Sequence, residues 1–336
     1  MATVALNEPV EDIDWKRRLA PYMTAHDRTA WFQLLSTLGL FALMWSVTYL
    51  GVEHVGWWVA LALAPLTGLL MVRVFIVQHD CGHGSFFRSK TTNDRVGAWL
   101  GVLTLTPYHY WKRTHAVHHA SSGDLDRRGM GDIATLTVAE YRSRPWRSRL
   151  AYRLYRHPLV LLGLGPAYLF LLKHRLPLDI PRSWRREWRS VMVTNAAIAA
   201  VLVAAWATIG LDRFLLIQLP VVIAMGTAGV WLFYVQHQFE DTFWARRADW
   251  SFEAAALEGS SFYDLPPVLH WFTGNIGYHH IHHLASRIPN YRLPACFREV
   301  PELQNAPRLT LAESLRCLRL RLWNEDARRL VGFRGL

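Results

Sequence analysis

The chain has 336 residues, of which 51% are hydrophobic, with sixteen tryptophans and a formal net charge of +11. The apolar residues gather in long runs separated by arginine-rich stretches, which excludes an ordinary soluble domain and points to several membrane spans. Three cysteines (Cys81, Cys296, Cys317), odd in number and without CxxC spacing, argue against a disulfide framework or a thiolate cluster. The basic excess reads as a cytoplasmic face, since no nucleic-acid-binding motif accompanies it.

Residues 1–29 form a polar arm containing Lys16, Arg17, Arg18 and Arg28, without the short apolar core of a removable signal peptide. A first span is predicted at about 31–50 and a second at about 57–77. The connection at 51–56 contains no Lys or Arg and is so short that the two must form an antiparallel hairpin. Arg73 lies near the end of the second span. That span closes on His79-Asp80-Cys81-Gly82-His83. Two imidazoles four residues apart share a helix face and can point at one metal ion, while Cys81 faces away from them.

Residues 78–190 carry nineteen Lys and Arg, which places this segment inside the cell. Within it lies a second histidine box, His115-Ala116-Val117-His118-His119. Two apolar stretches, 96–106 and 159–172, are too short to span and read as interfacial or buried. Trp184, Arg185, Arg186, Trp188 and Arg189 form an aromatic–basic belt ahead of the third span, about 191–209. The fourth span, about 214–235, contains Pro220, which predicts a bend.

Beyond it come Gln236-His237-Gln238-Phe239-Glu240-Asp241 and a third box, His279-His280-Ile281-His282-His283. Residues 301–336 predict a cytoplasmic amphipathic helix and tail, with Thr310 and Glu313 as a capping box and Leu311, Leu315, Leu318 and Leu322 as its stripe. The sum is an all-α integral membrane protein. Four transmembrane helices form two hairpins, both termini are cytoplasmic, and a cytoplasmic helical cap carries the histidine boxes. Residues 30–300 form its membrane domain.

Nine of the sixteen histidines lie in the three boxes, a clustering that packing does not explain. In each HxxHH box the i, i+3 and i+4 positions share one face, so three imidazoles can converge. With His79, His83 and His237, whose place after span four mirrors that of His79 after span two, the nitrogen ligands are too many for one ion and suit two. Imidazole serves several transition metals and does not choose among them.

The sequences HDCGH, HAVHH, QHQFED and GNIGYHHIHHLASRIPNYRL, in this order and spacing, resemble the integral-membrane fatty acyl desaturases, in particular their bacterial delta-12/omega-6-like branch. The resemblance covers residues 30–300. It implies a non-haem di-iron centre that uses O2 and two electrons to introduce a double bond into an acyl chain carried on CoA, carrier protein or membrane lipid. The ligands implied are His79, His83, His115, His118, His119, His237, His279, His282 and His283. His280 is the extra histidine of box three, and the helical register favours His279 as the ligand. Asp80, Asp124, Asp126, Glu240, Asp241 and Asp264 are candidates to hold the second ring nitrogens, with His280 as a further candidate near the metals. A bacterial inner-membrane location follows from the same resemblance.

No haem-binding HPGG, ferredoxin-type cysteine spacing or strand-linked GxGxxG is present. A separate ferredoxin or cytochrome b5-like protein is therefore the expected electron donor. Lys112 and Arg113, with Arg142, Arg144, Arg147, Arg149, Arg153 and Arg156, are the basic residues placed to steer it. Two other readings share some of these features. A membrane hydroxylase or monooxygenase acting on fatty acid, carotenoid or alkane would share the boxes, but the QHQFED and SRIPNYRL contexts favour desaturation. A metal transporter would need ligands near mid-bilayer, and here the boxes lie beyond the span ends.

Overall fold

The computed structural model describes residues 13–334. A short helix α1 (Trp15–Leu19) leads into α2 (Asp27–His54) and α3 (Trp58–His83), the first hairpin. Next come α4 (Lys90–Leu103), α5 (Tyr108–Ser121), strand β1 (Leu136–Thr137), α6 (Val138–Ser143) and α7 (Trp146–Tyr155). The stretch at 159–172 is helical throughout, with two wide π-wound segments, Leu159–Leu164 and Tyr168–Leu172, flanking α8 (Gly165–Ala167). The second hairpin is α9 (Arg185–Thr208) and α10 (Leu211–His237). The rest is α11 (Phe252–Leu257), β2 (Phe262–Asp264), α12 (Pro267–Phe272), α13 (His279–Leu284), α14 (Leu293–Glu299), β3 (Arg308–Thr310), α15 (Leu311–Cys317), β4 (Leu322–Asn324) and β5 (Arg329–Val331).

All four predicted spans are present as helices long and apolar enough to cross a membrane. Each is longer than the apolar run that announced it, because the helix continues into polar residues at the ends. In α3 that continuation carries the whole first histidine box as two further turns. α3 is the central span, with 61% of its apolar window buried against 11–33% for the others. It packs on both α2 and α10, which joins the two hairpins. At the end remote from the histidines the hairpin turns are tied by an ion pair between Arg213 and Glu53. α10 continues through Pro220.

Neither short apolar stretch is among the helices long and apolar enough to cross a membrane. The 159–172 segment lies along α10, where Thr227 donates to the Leu162 carbonyl (2.7 Å) and Phe170 is buried. Of the expected N-terminal arm, residues 1–12 lie outside the described residues. Leu19 and Tyr22 pack with Ile281, Ile288, Leu293 and Cys296, so the arm backs the third histidine box.

The C-terminal expectation needs correction. The capping box of Thr310 and Glu313 is formed, but α15 ends at Cys317, and Leu322 lies in a strand. β4 pairs parallel with β1 and antiparallel with β5, and a second small sheet joins β2 to β3 in parallel. Leu322 and Trp323 point to opposite faces of β4 and both are buried, so pairing with residues far off in the chain overrides the helical stripe. The mostly helical architecture stands, with two small sheets added in the cap.

Candidate metal centre

The three boxes and His237 come together beyond the ends of α3 and α10. His79, His83, His115, His119 and His282 form one group, whose ligand nitrogens all lie within 4.8 Å of one another; His118, His237 and His283 form a second. His279 joins the second group through its Nε2, 2.9 Å from Nε2 of His237. Each HxxHH box therefore serves both groups, giving 115 and 119 to one with 118 to the other, and 282 to one with 279 and 283 to the other. The sequence reading had each box converge on one point. Helix geometry explains the split, since position i+3 lies about 60° behind position i and position i+4 about 40° ahead.

The groups fit metal ions on three counts. Nε2 atoms of His79 and His115, His115 and His119, and His119 and His282 are each 3.1 Å apart. Adjacent nitrogens on one ion at about 2.1 Å stand roughly 3 Å apart at right angles. Nε2 of His83, His118 and His283 is buried and meets no partner among the described residues, a costly arrangement unless something else is bound. Burial also drives His115, His119, His279, His282 and His283 well below the ordinary imidazole range, with the neighbouring imidazoles adding to the effect. They are neutral at physiological pH, with lone pairs free to coordinate.

The outward nitrogens are held by partners that fix the tautomer. His79 Nδ1 donates to Asp80 Oδ1 at 3.2 Å. The other Asp80 oxygen accepts from both the backbone (2.7 Å) and side-chain nitrogen (2.8 Å) of Asn290, whose own oxygen accepts from Gln33. The IPN tripeptide thus anchors the first box. His237 Nδ1 donates to the Gly259 carbonyl at 3.1 Å, and His118 Nδ1 donates to Asp132 at 2.5 Å.

Asp132 was missed in the sequence because it sits in a glycine-rich loop among other acidic residues. The loop turns onto α5 at Gly131, where φ is +79° and a Cβ would stand 3.0 Å from the Thr114 carbonyl. Trp111, also missed, stacks on His115 (4.5 Å between centroids, 19°). Its indole fills the space beside Gly82, where a Cβ would come within 2.7 Å of the ring. The glycine of HDCGH thus lets α3 and α5 approach closely enough to share ligands.

Of the carboxylates expected near the metals, only Asp80 is there. Glu240 and Asp241 are exposed, and Glu240 faces Arg329. The helix ends at His237, so the residues that follow turn outward in place of continuing its inner face. Asp124 is buried but holds Arg127, Asp126 pairs with Arg246, and Asp264 with Arg308. His280 belongs to neither group. Its ring is buried edge-on against Phe297, and burial alone pushes it down to about 3. Cys81 is buried among Leu34, Val77 and Phe86, away from the imidazoles.

Lys112 pairs with Asp94 (2.8 Å), while Arg113 pairs with Glu187 (3.2 Å) and lies 3.6 Å over the Trp184 ring, so both cations have carboxylate partners within the chain. Arg73 is buried and ties α3 to the approach to box three, donating to Thr37 and to the Trp271 carbonyl. A cleft of about 300 Å³ lined by His83, His119, His283 and Phe252 reaches the imidazoles from outside.

The fatty acid desaturase family model matches residues 56–313. The chain is similar to a fatty acid desaturase of Bacillus subtilis (44% identical over 320 residues, 95% of this chain and 90% of that one). It is also similar to two proteins of Synechocystis sp. One is an sn-1 oleoyl-lipid 12-desaturase (28% identical, 79% of this chain and 73% of that one). The other is an sn-1 acyl-lipid omega-3 desaturase (ferredoxin) (32% identical, 68% and 63%).

Proposed function

The chain belongs to the fatty acid desaturase family, and on that premise we propose that it desaturates acyl chains of membrane glycerolipids at a di-iron centre, with electrons from a ferredoxin-like protein. The observation that carries this reading is the division of nine imidazoles into two adjoining groups, each with nitrogens at coordination spacing. His79, His83, His115, His119 and His282 would hold one iron, and His118, His237, His279 and His283 the other. The relatives named for acyl-lipid substrates and ferredoxin support the lipid carrier and the donor.

The reaction converts –CH2–CH2–, O2, two electrons and two protons into –CH=CH– and two waters. An unactivated C–H bond offers nothing to an acid or a base, so iron would supply the oxidising power. The protein supplies position. Asp80, Asp132 and the Gly259 carbonyl keep the Nδ1 protons outward and so present Nε2 inward.

In this reading the protein lies in a bacterial inner membrane, with its histidine side and both ends of the described chain facing the cytoplasm, and the excess of Lys and Arg on that side supports the orientation. The donor docks on this face beside α5, where Arg113 keeps a half-exposed charge.

Fatty-acid profiling of a host that lacks this activity tests the reading. Expression should yield a new unsaturated acyl species in the glycerolipids, absent without O2 and absent with His118→Ala. A hydroxylated product in its place would make the protein a hydroxylase, and no new product in any lipid would overturn the proposal.

A further inference from the structure

Helix α7 (Trp146–Tyr155) has one buried side and an outer apolar side with no partner among the described residues. The buried side is Tyr152, whose hydroxyl donates to the Arg321 carbonyl (2.6 Å) and accepts from the Leu136 amide (3.1 Å). The outer side carries Trp146, Leu150 and Leu154, one turn apart and 62%, 48% and 56% exposed. Arg147 flanks this apolar stripe on one edge, with Arg149 and Arg153 on the other. Among the described residues, Arg142, Arg144, Arg147, Arg149 and Arg153 form no ion pair. The nearest carboxylate, Glu140, is engaged by Arg128 and the Thr137 amide.

We propose that α7 lies in the plane of the membrane surface, its stripe in the acyl region and its arginines on anionic phospholipid headgroups. A narrow apolar stripe edged by arginines is the pattern of an interfacial helix. The neighbouring chain supports the depth. After three intervening residues α7 is followed by the 159–172 segment, whose Leu159, Leu164, Tyr168 and Leu172 are exposed while its other face packs on α10. Its contact at Thr227 lies ten residues, about 15 Å, along α10 from His237, within the span. The chain thus passes within a few residues from α7 to a segment whose exposed apolar side chains lie alongside the span. An acidic protein would match the arginines but would leave the tryptophan–leucine stripe unexplained.

The seating of α7 bears on the metal centre. Arg156, next to the C-terminus of α7 and fully buried, donates to the Ala134 carbonyl, Thr135 Oγ1 and Gln238 Oε1. Those residues adjoin Asp132 and His237. Headgroup binding therefore holds the part of the cap that positions the second group of ligands. The inference rests on the membrane location of the chain and on its acyl-lipid activity only for the second measurement below.

The first measurement needs no turnover. The three native cysteines are buried, so a Leu150→Cys variant accepts a single environment-sensitive fluorophore. In nanodiscs of phosphatidylcholine with phosphatidylglycerol, the label should be quenched by acyl-brominated lipid and shielded from aqueous iodide. In phosphatidylcholine alone the quenching should be weaker. A label that stays open to iodide in both lipids overturns the proposal, and so does one shielded only when a reduced ferredoxin is added.

The second measurement is turnover at sub-saturating lipid substrate, expected to rise severalfold with phosphatidylglycerol. Arg147→Glu with Arg149→Glu should flatten that response, while Arg147→Lys with Arg149→Lys retains it. Loss in both pairs alike, with quenching unchanged, would overturn the headgroup contact.

Discussion

Asp132 Oδ1 lies 2.5 Å from Nδ1 of His118, against 3.2 Å for the corresponding contact of Asp80 and His79. Each imidazole group thus has one carboxylate-held member: His79 on α3 is held by its own neighbour Asp80, and His118 on α5 by Asp132 from the loop that follows that helix. Asp80 is buried and the Asp132 side chain is only 9% exposed, and in such surroundings a charge-assisted hydrogen bond is strong and its loss is costly.

Asp132→Asn should therefore lower activity about 10–100-fold and weaken metal retention, since outer partners of ligating histidines carry effects of that size. Asp126→Asn, which changes only exposed contacts with Arg246 and the Arg247 amide, should stay within about twofold. Activity assays paired with iron analysis check both. Equal losses in the two variants would show that Asp132 does nothing special.

His237→Ala should abolish activity as fully as His118→Ala, although it lies outside every histidine box. Its Nε2 meets His279 at 2.9 Å and its Nδ1 is fixed by the Gly259 carbonyl. His157→Ala, at an exposed position, should leave turnover nearly unchanged. Near-normal turnover in the His237 variant with iron intact would remove it from the ligand set.

The active protein should contain two irons per chain, because nine imidazoles in two groups overfill one ion. Metal analysis and Mössbauer spectroscopy measure this. Chelation should remove activity and expose buried imidazoles to protons, and iron should restore both. A fully active form with a single ion would contradict the two-group reading.

Gly82→Ala should destabilise the protein. The added methyl would stand 2.7 Å from the Trp111 ring, and that ring is held by its stack on His115. Overpacking costs about 1–3 kcal/mol, more than the roughly 1 kcal/mol that alanine gains over glycine in a helix. Thermal unfolding should show the loss, and Trp111→Leu in the same chain should recover part of it. A stability gain from Gly82→Ala alone would mean that the helices have room to separate.

Turnover at sub-saturating ferredoxin should fall sharply between low and physiological ionic strength, with little change at saturation, as salt screens docking charges. Arg113→Glu breaks the pair with Glu187 as well as reversing a charge. The swap Arg113→Glu with Glu187→Arg keeps the pair, so a raised donor KM in both variants assigns the effect to docking. A raised KM in the single variant only would assign it to lost structure.

The sequence by itself determined the four spans, the side on which the histidines gather and the ligand types, because these follow from local quantities. Apolar run length sets a span, and residue spacing sets a helix face. It also singled out His237 and Asp80, which lie within or beside such periodic stretches. Only the tertiary structure decided that each HxxHH box divides between two groups, since that depends on where α3, α10 and α13 stand around α5. It alone brought in Asp132, Gly259, Asn290 and Trp111, whose neighbours are distant in the chain, and turned Glu240 and Asp241 outward. Leu322 makes the same point in the cap. Its helical spacing from Leu311 was real, but strand pairing with Leu136 and Val331 buried it elsewhere. Spacing reports which side chains can share a face, whereas packing decides what that face meets.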